Sequence, residues 1–149
     1  MPDAAAAPLY AATSATFEEL GYMFVEACDA GPTGQREDGI ATVDFVGPFE
    51  GRLAVRLFGG VLAAISANML GLDAPPPDDV QRDALGELAN VICGNVLPLV
   101  AGVEPTFSLG TPRIAESWED ASRGAGKQVA AATLRVDDSG RAEVALFKR

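Results

Sequence analysis

Four residues, Asp83, Glu87, Asn90 and Gly94, have the types and the spacing of a surface that recognises another molecule. They are 4, 3 and 4 positions apart, so at about 100° per residue they share one side of a helix, here called the ridge. A carboxylate there can pair with a cation, and a carboxamide can donate and accept hydrogen bonds together. The glycine leaves room for close approach. The ridge therefore predicts docking into a concave site on a partner.

The chain contains no histidine, which narrows the chemistry open to the ridge. Nucleophile pairs that need histidine, histidine metal ligands and a histidine phosphorelay are excluded. An amide does not abstract a proton at neutral pH, so Asn90 can act only by positioning a water molecule. Positioning is sufficient where the bond to be broken is already labile.

The same residues would also suit an inert, solvated face of a helix, and a Glu-x-x-Asn spacing is short enough to arise by chance. Against that interpretation, Asn90, Gly86 and Gly94 are poor helix formers, whereas an inert surface favours Ala, Glu or Lys. Spacing alone leaves both interpretations open.

Residues 83–95, with the sequence DALGELANVICGN, resemble the signature helix of the CheC/CheX/FliY chemotaxis phosphatases. That signature has Asp or Ser, three residues, Glu, two residues, Asn and a later proline. It is matched by Asp83, Glu87, Asn90 and Pro112. The likeness extends over residues 45–114, with FEGRL before the helix and LGTP after it. A single Glu-x-x-Asn copy favours the CheX type over the two-site CheC and FliY types.

The resemblance implies a phosphatase that accelerates hydrolysis of the aspartyl phosphate on a CheY-like response-regulator receiver domain. The phosphate and its Mg²⁺ would belong to the partner, so the chain would need no cofactor or metal of its own. Glu87 would pair with the active-site lysine of the regulator, and Asn90 would enter its active site and orient the attacking water. Asp83, Gly86 and Gly94 would contact the partner around these two catalytic residues. A homodimer formed through strands is also implied.

Two other classes of function stay open at this point. In a non-enzymatic binding module, the same ridge would dock a receiver domain or a flagellar switch component without hydrolysis. In an inert dimeric scaffold, loss of the Glu87 carboxylate would cause no partner defect. Dependence of turnover on Asn90 separates the first of these from a phosphatase.

The order of the predicted helices and strands indicates an α/β fold of the layered α+β kind, with long central helices packed on a mainly antiparallel sheet. This fold would position the ridge. The ridge helix is predicted over residues 80–101, where Pro98 favours a kink or an early end. Its core side comprises Leu85, Leu88, Ala89, Ile92, Val96 and Leu99. A short helix follows Gly59-Gly60. Alternation predicts strands over residues 40–46, 51–58, 106–109, 113–115, 129–136 and 141–147.

The two ends of the chain and one long loop complete the predicted organisation. Residues 1–12 are expected to form a mobile leader and residues 13–149 a single domain. A first helix would carry Phe17, Leu20, Phe24 and Ala27, with Ser14 or Thr16 as its N-cap and Gly31-Pro32 as its stop. Residues 117–127 are predicted as a mobile polar loop, in which Trp118 packs over a sheet edge rather than anchoring a partner.

Composition excludes several classes of partner. With 11 basic and 21 acidic residues, the net charge of −10 opposes binding to nucleic acid or to an anionic membrane surface. No apolar run has the length and continuity that membrane insertion needs, and the leader lacks a basic region, which predicts a cytoplasmic protein. Cys28 and Cys93 are 65 positions apart and are predicted to be buried thiols.

Overall fold

The structure is a computed structural model that describes residues 6–28, 35–101, 106–137 and 140–149. Within these residues the chain forms four helices and seven strands. In order they are α1 (Ala6–Gly21), β1 (Val25–Ala27), β2 (Glu37–Val46), β3 (Gly51–Phe58), α2 (Val61–Leu70), α3 (Asp78–Ala101), β4 (Ser108–Leu109), β5 (Arg113–Ala115), α4 (Trp118–Ser122), β6 (Lys127–Val136) and β7 (Gly140–Lys148).

The strands form one antiparallel sheet in the order β1-β6-β7-β3-β2-β4, and β5 also pairs with β2. The central register places Val43 opposite Leu53 and Val55 opposite Val144. Helices α1, α2 and α3 pack on the sheet. The layered α+β class predicted from the sequence is therefore confirmed, as are the β2, β3, β6 and β7 strands.

Alternating side chains of the central strands form the core on the helix-covered side of the sheet, as the period of two requires. They belong to one buried cluster that includes Val43, Phe45, Leu53, Val55, Leu57, Val144 and Leu146. The same cluster contains Leu9 and Phe17 from α1, Ile65 from α2 and six apolar residues of α3. Burial of these side chains together is the main force that holds the layers in contact.

Helix α3 carries the ridge and ends at Ala101, as predicted, although it begins at Asp78. Of the two effects expected of Pro98, a kink or an early end, the early end does not occur. Its core side is buried as predicted through Val96, and Cys93 and Leu97 join it. Leu99, however, is 55% exposed. Val100, the next residue, packs against the core cluster instead.

The same helix is the one helix in the described residues that is long and apolar enough to cross a membrane, because an 18-residue window within it has a mean hydropathy of 1.5. Half of that apolar window is buried within the fold, and α3 packs against α1, α2 and β2. The hydropathy of α3 is accordingly that of a long core helix.

Helix α1 differs from its prediction at both ends. It begins at Ala6, and Leu9 and Ala12 are buried in the core. The predicted leader is therefore wrong for residues 6–12, while residues 1–5 lie outside the described residues. The helix ends at Gly21, and Val25–Ala27 instead pairs with β6. Local spacing cannot reveal this pairing because the partner strand is more than 100 positions away.

The predicted caps of α1 also differ from what is observed. Ser14 and Thr16 lie inside the helix, and the Thr16 hydroxyl donates to the carbonyl of Ala12 at 2.7 Å. The predicted stop at Gly31-Pro32 lies outside the described residues. The observed end is a turn in which Met23 N donates to the carbonyl of Phe17 at 3.2 Å.

Residues 117–127, predicted as a mobile loop, contain helix α4 and are fixed by hydrogen bonds. The buried Arg52 side chain donates from one nitrogen to the carbonyls of Ala121 and Arg123, at 2.8 and 2.7 Å. Burial alone would raise the pKa of Asp44, but its hydrogen bond and charge interaction with Arg52 outweigh burial and lower that pKa. Arg52 thus links this segment to β2 and β3, a long-range contact that composition could not predict.

Trp118 packs within its own chain, as predicted, but over the central strands β7 and β3 on the sheet side opposite the core helices rather than over a sheet edge. Its ring centroid is 6.0 Å from that of Phe147, and the Arg56 guanidinium lies 4.8 Å from the indole. The Trp118 side chain is therefore used in packing within the protein rather than presented to a partner.

We expect a Leu97→Ala variant to be less stable by about 2–5 kcal/mol, because truncation leaves a cavity in the core. The matched Leu99→Ala variant should change stability by less than about 0.5 kcal/mol. Urea unfolding followed by circular dichroism measures both. Equal losses in the two variants would contradict the described end of α3.

Candidate functional site

The ridge lies on the outer side of α3. Asp83, Glu87 and Gly94 are exposed, and Asn90 is half-buried. Gly94 comes eleven positions after Asp83, so at 1.5 Å per residue the ridge is roughly 16 Å long along the helix axis. Within the described part of the chain, the Asp83, Glu87 and Asn90 side chains make no hydrogen bond or ion pair with another residue. Their polar groups are consequently available to a partner.

Gly86 lies beside the ridge but is buried. A Cβ atom added to it would be 3.3 Å from Cβ of Pro112, so the link between β4 and β5 rests on the helix at this point. That link is held to the sheet, because Gly110 N donates to the carbonyl of Asp44 at 2.7 Å. The expected direct contact of Gly86 with a partner does not fit this burial. Gly86 instead lets Pro112 approach α3.

Gly94 has a different environment. It is exposed, and a Cβ atom added to it would have no neighbour within 4 Å. Nothing in the described residues requires a glycine there, although glycine inside a helix is less favourable than alanine. A partner that approaches the helix backbone closely would provide a reason.

The thiol on the ridge helix, Cys93, offers no nucleophile to the ridge. Cys93 is fully buried, and burial, together with the charge of Asp44, raises its pKa to about 12. Because the thiolate is the reactive form, Cys93 is inert at neutral pH. Cys28 is half-buried, so the prediction of full burial is wrong for that residue.

The ridge has no associated metal-binding cluster. In the described ranges, no group of three or more Cys, Asp or Glu side chains could hold a metal ion. What the ridge offers is a carboxylate at Glu87, a second at Asp83 and an amide at Asn90. These groups can bind a cation and position a polar molecule.

Fold and site together define a class: three helices, α1, α2 and α3, layered on one side of an antiparallel sheet, with an outward polar ridge on the longest of them. A family model described as "Chemotaxis phosphatase CheX" matches residues 40–131, which is more than half of the chain. The protein therefore belongs to the CheX family. The matched region contains the ridge, Gly86 and Pro112.

Solved structures share the fold at low sequence identity. CheX from Vibrio vulnificus is 17% identical, with a TM-score of 0.74 over 98% of this chain and 97% of that one. CheX from Desulfovibrio desulfuricans is 19% identical, with a TM-score of 0.72 over 97% and 99%. CheX in a CheX–CheY–BeF3–Mg²⁺ complex from Borrelia burgdorferi is 15% identical, with a TM-score of 0.69 over 96% of each chain. A comparison with curated proteins gives no match.

We expect Gly94→Ala to stabilise the protein by up to about 1 kcal/mol, since alanine favours the helix and meets no neighbour here. Gly86→Ala should gain less or lose stability, because its Cβ contacts Pro112 at 3.3 Å. Thermal unfolding of both variants measures the difference. A larger gain from Gly86→Ala than from Gly94→Ala would contradict the described contact with Pro112.

Proposed function

We propose that the protein is a phosphatase that accelerates hydrolysis of the aspartyl phosphate on a CheY-like receiver domain. The observation that supports this most is the outward, unpartnered pair Glu87 and Asn90 in a chain of the CheX family. The complex of a structural neighbour with CheY supports a receiver domain as the partner class. We further propose that the protein acts in the cytoplasm as a homodimer.

In this proposal, Asn90 performs the positioning step. Its amide would enter the receiver active site and hold a water molecule in line with the phosphorus. Attack of that water breaks the bond between phosphorus and the acyl oxygen, which releases inorganic phosphate and restores the aspartate. The protons of the water pass to phosphate and solvent, so Asn90 need not act as a base. Mg²⁺ held by the receiver would neutralise phosphate charge.

Glu87 would place Asn90 in that position. The two residues are three positions apart on the same side of α3, so a salt bridge from Glu87 to the receiver lysine fixes where the amide enters. Asp83, one turn earlier, would lie at the rim of the contact. Gly94, one turn later, would allow the receiver backbone to come close to the helix. The residues of this chain therefore contribute docking and orientation, while the reactive bond belongs to the partner.

Phosphate release from Mg²⁺-bound receiver domains charged with acetyl phosphate tests the catalytic step. We expect the native protein to accelerate release and Asn90→Ala to lose about 10²–10³-fold of that acceleration, the usual effect of removing one positioned polar group. Asn95→Ala is the matched control. It changes the same residue type on the same helix, where the side chain contacts Thr16 of the chain itself, and should retain most of the acceleration.

The outcomes of that experiment separate the candidate functions. A receiver that binds the native protein without faster release would favour the non-enzymatic binding module. Equal acceleration by native protein and Asn90→Ala would contradict the role of the amide.

We expect Glu87→Lys to weaken receiver binding at least tenfold, because two cations would then face each other in the contact. Glu116→Lys makes the same change of charge at another exposed position and should leave affinity within about twofold. Titration followed by fluorescence anisotropy at two salt concentrations measures both. Unchanged affinity in Glu87→Lys would rule out the docking role.

A further inference from the structure

Four large apolar side chains are exposed in the segment after α1 and at or just after the end of α2. Tyr22 is 79% exposed, Phe24 69%, Leu70 51% and Leu72 45%. The two helix ends are joined by a hydrogen bond of 2.7 Å from the Asn68 amide to the carbonyl of Gly21. We call these four residues the aromatic patch. Clustered exposed apolar side chains on a soluble fold mark interaction surfaces.

The backbone holds the two aromatic side chains outward. Tyr22 and Phe24 flank Met23, which is buried, so the three side chains alternate between solvent and core. Phe24 N donates to the Asp137 carboxylate at 3.0 Å, and Asp137 N donates to the carbonyl of Phe24 at 2.7 Å. Both main-chain groups of Phe24 are therefore occupied. A partner would have to use the side chains here rather than add a strand to the backbone.

The conformation of Tyr22 is unfavourable for a tyrosine. Its φ of +52° is in the left-handed region, at the position after the helix end where glycine is preferred. Because the side chain is largely exposed, packing within the chain does not compensate for this conformation. Binding of a partner to the ring would account for a tyrosine at this position.

The charges around the patch are acidic. Glu18 and Glu19 are exposed in the last turn of α1, Asp73 follows Leu72, and Asp137 lies beside Phe24. Arg135, on the neighbouring strand, pairs with Glu26. An acidic rim disfavours an anionic membrane and, in a chain with a net charge of −10, a second copy of the same surface.

We infer that the aromatic patch docks a basic amphipathic helix of a partner protein, with its apolar side on Tyr22 and Phe24 and its Lys or Arg residues against the acidic rim. The patch contains no residue of the ridge. It lies on the segment between α1 and β1, at the last residue of α2, and at Leu72 two residues later. The inference therefore stands independently of the proposed phosphatase activity.

A fluorescent helical peptide of about 18 Leu and Lys residues, with Leu at positions i, i+3, i+4 and i+7, is a suitable probe. A peptide of the same composition with the pattern scrambled is its control. We expect the patterned peptide to bind at least tenfold more tightly than the scrambled one. Backbone amide NMR shifts should change at residues 18–24 and 70–72.

A double variant, Tyr22→Gly with Phe24→Ser, should lose at least tenfold in affinity for the patterned peptide. Tyr22→Gly suits the left-handed φ, so the fold is expected to be retained. Val46→Ser is the matched control, because Val46 is 50% exposed on β2 towards the other edge of the sheet. The Val46→Ser variant should keep the native affinity for the patterned peptide within about twofold.

Three results would overturn the inference: equal binding of the patterned and scrambled peptides, no loss of affinity in the double variant, or conversion of a dimer to a monomer by that variant in light scattering. The last result would show that the patch is a contact between copies. If the double variant does not fold, Glu18→Lys with Glu19→Lys removes part of the rim without altering the core. An unchanged affinity in that variant would also contradict the inference.

Discussion

The close approach of α3 to the sheet and to the link before β5 is the constraint on which the site depends. Two glycines permit this approach, one on the strand beneath the helix and one on the helix itself. A Cβ atom on Gly39 of β2 would lie 2.9 Å from a methyl group of Leu85, and one on Gly86 would lie 3.3 Å from Pro112. One turn of the helix is thus packed between a strand and a loop, with Glu87 directly after it. This packing keeps the outer side of α3 exposed and fixes the direction in which the ridge projects.

The chemistry of the site follows from what the chain lacks as well as from what it presents. There is no histidine in the sequence, and burial keeps Cys93 protonated. A carboxylate and an amide on a rigid helix are suited to recognition and to orientation of water, and orientation is effective when the substrate bond is an acyl phosphate. The proposed function needs no reactive group that the described chain does not have. It also gives a reason for Asn90 and Gly94, two poor helix formers inside a long core helix.

Local pattern predicted the parts of this fold whose partners are close in sequence. Alternation located β2 and β3, which are joined by a short turn, and the ridge could be identified from spacing along α3. The errors share a cause, which is contact between distant residues. Val25–Ala27 pairs with β6, and Arg52 binds carbonyls about 70 positions away. The expected contact of Gly86 with a partner has the same cause, because the sequence does not show that Pro112 covers this glycine.

In the proposed function, Asn90 acts on the rate of hydrolysis and Glu87 acts on docking of the receiver domain. Single-turnover loss of phosphate from a labelled receiver domain, measured over a range of concentrations of this protein, separates the two effects most directly. We expect Asn90→Ala to keep the native half-saturation concentration while its maximal rate falls close to that of the receiver alone. An Asn90→Ala variant that reaches the native maximal rate and differs only in half-saturation would contradict the proposed role of the amide.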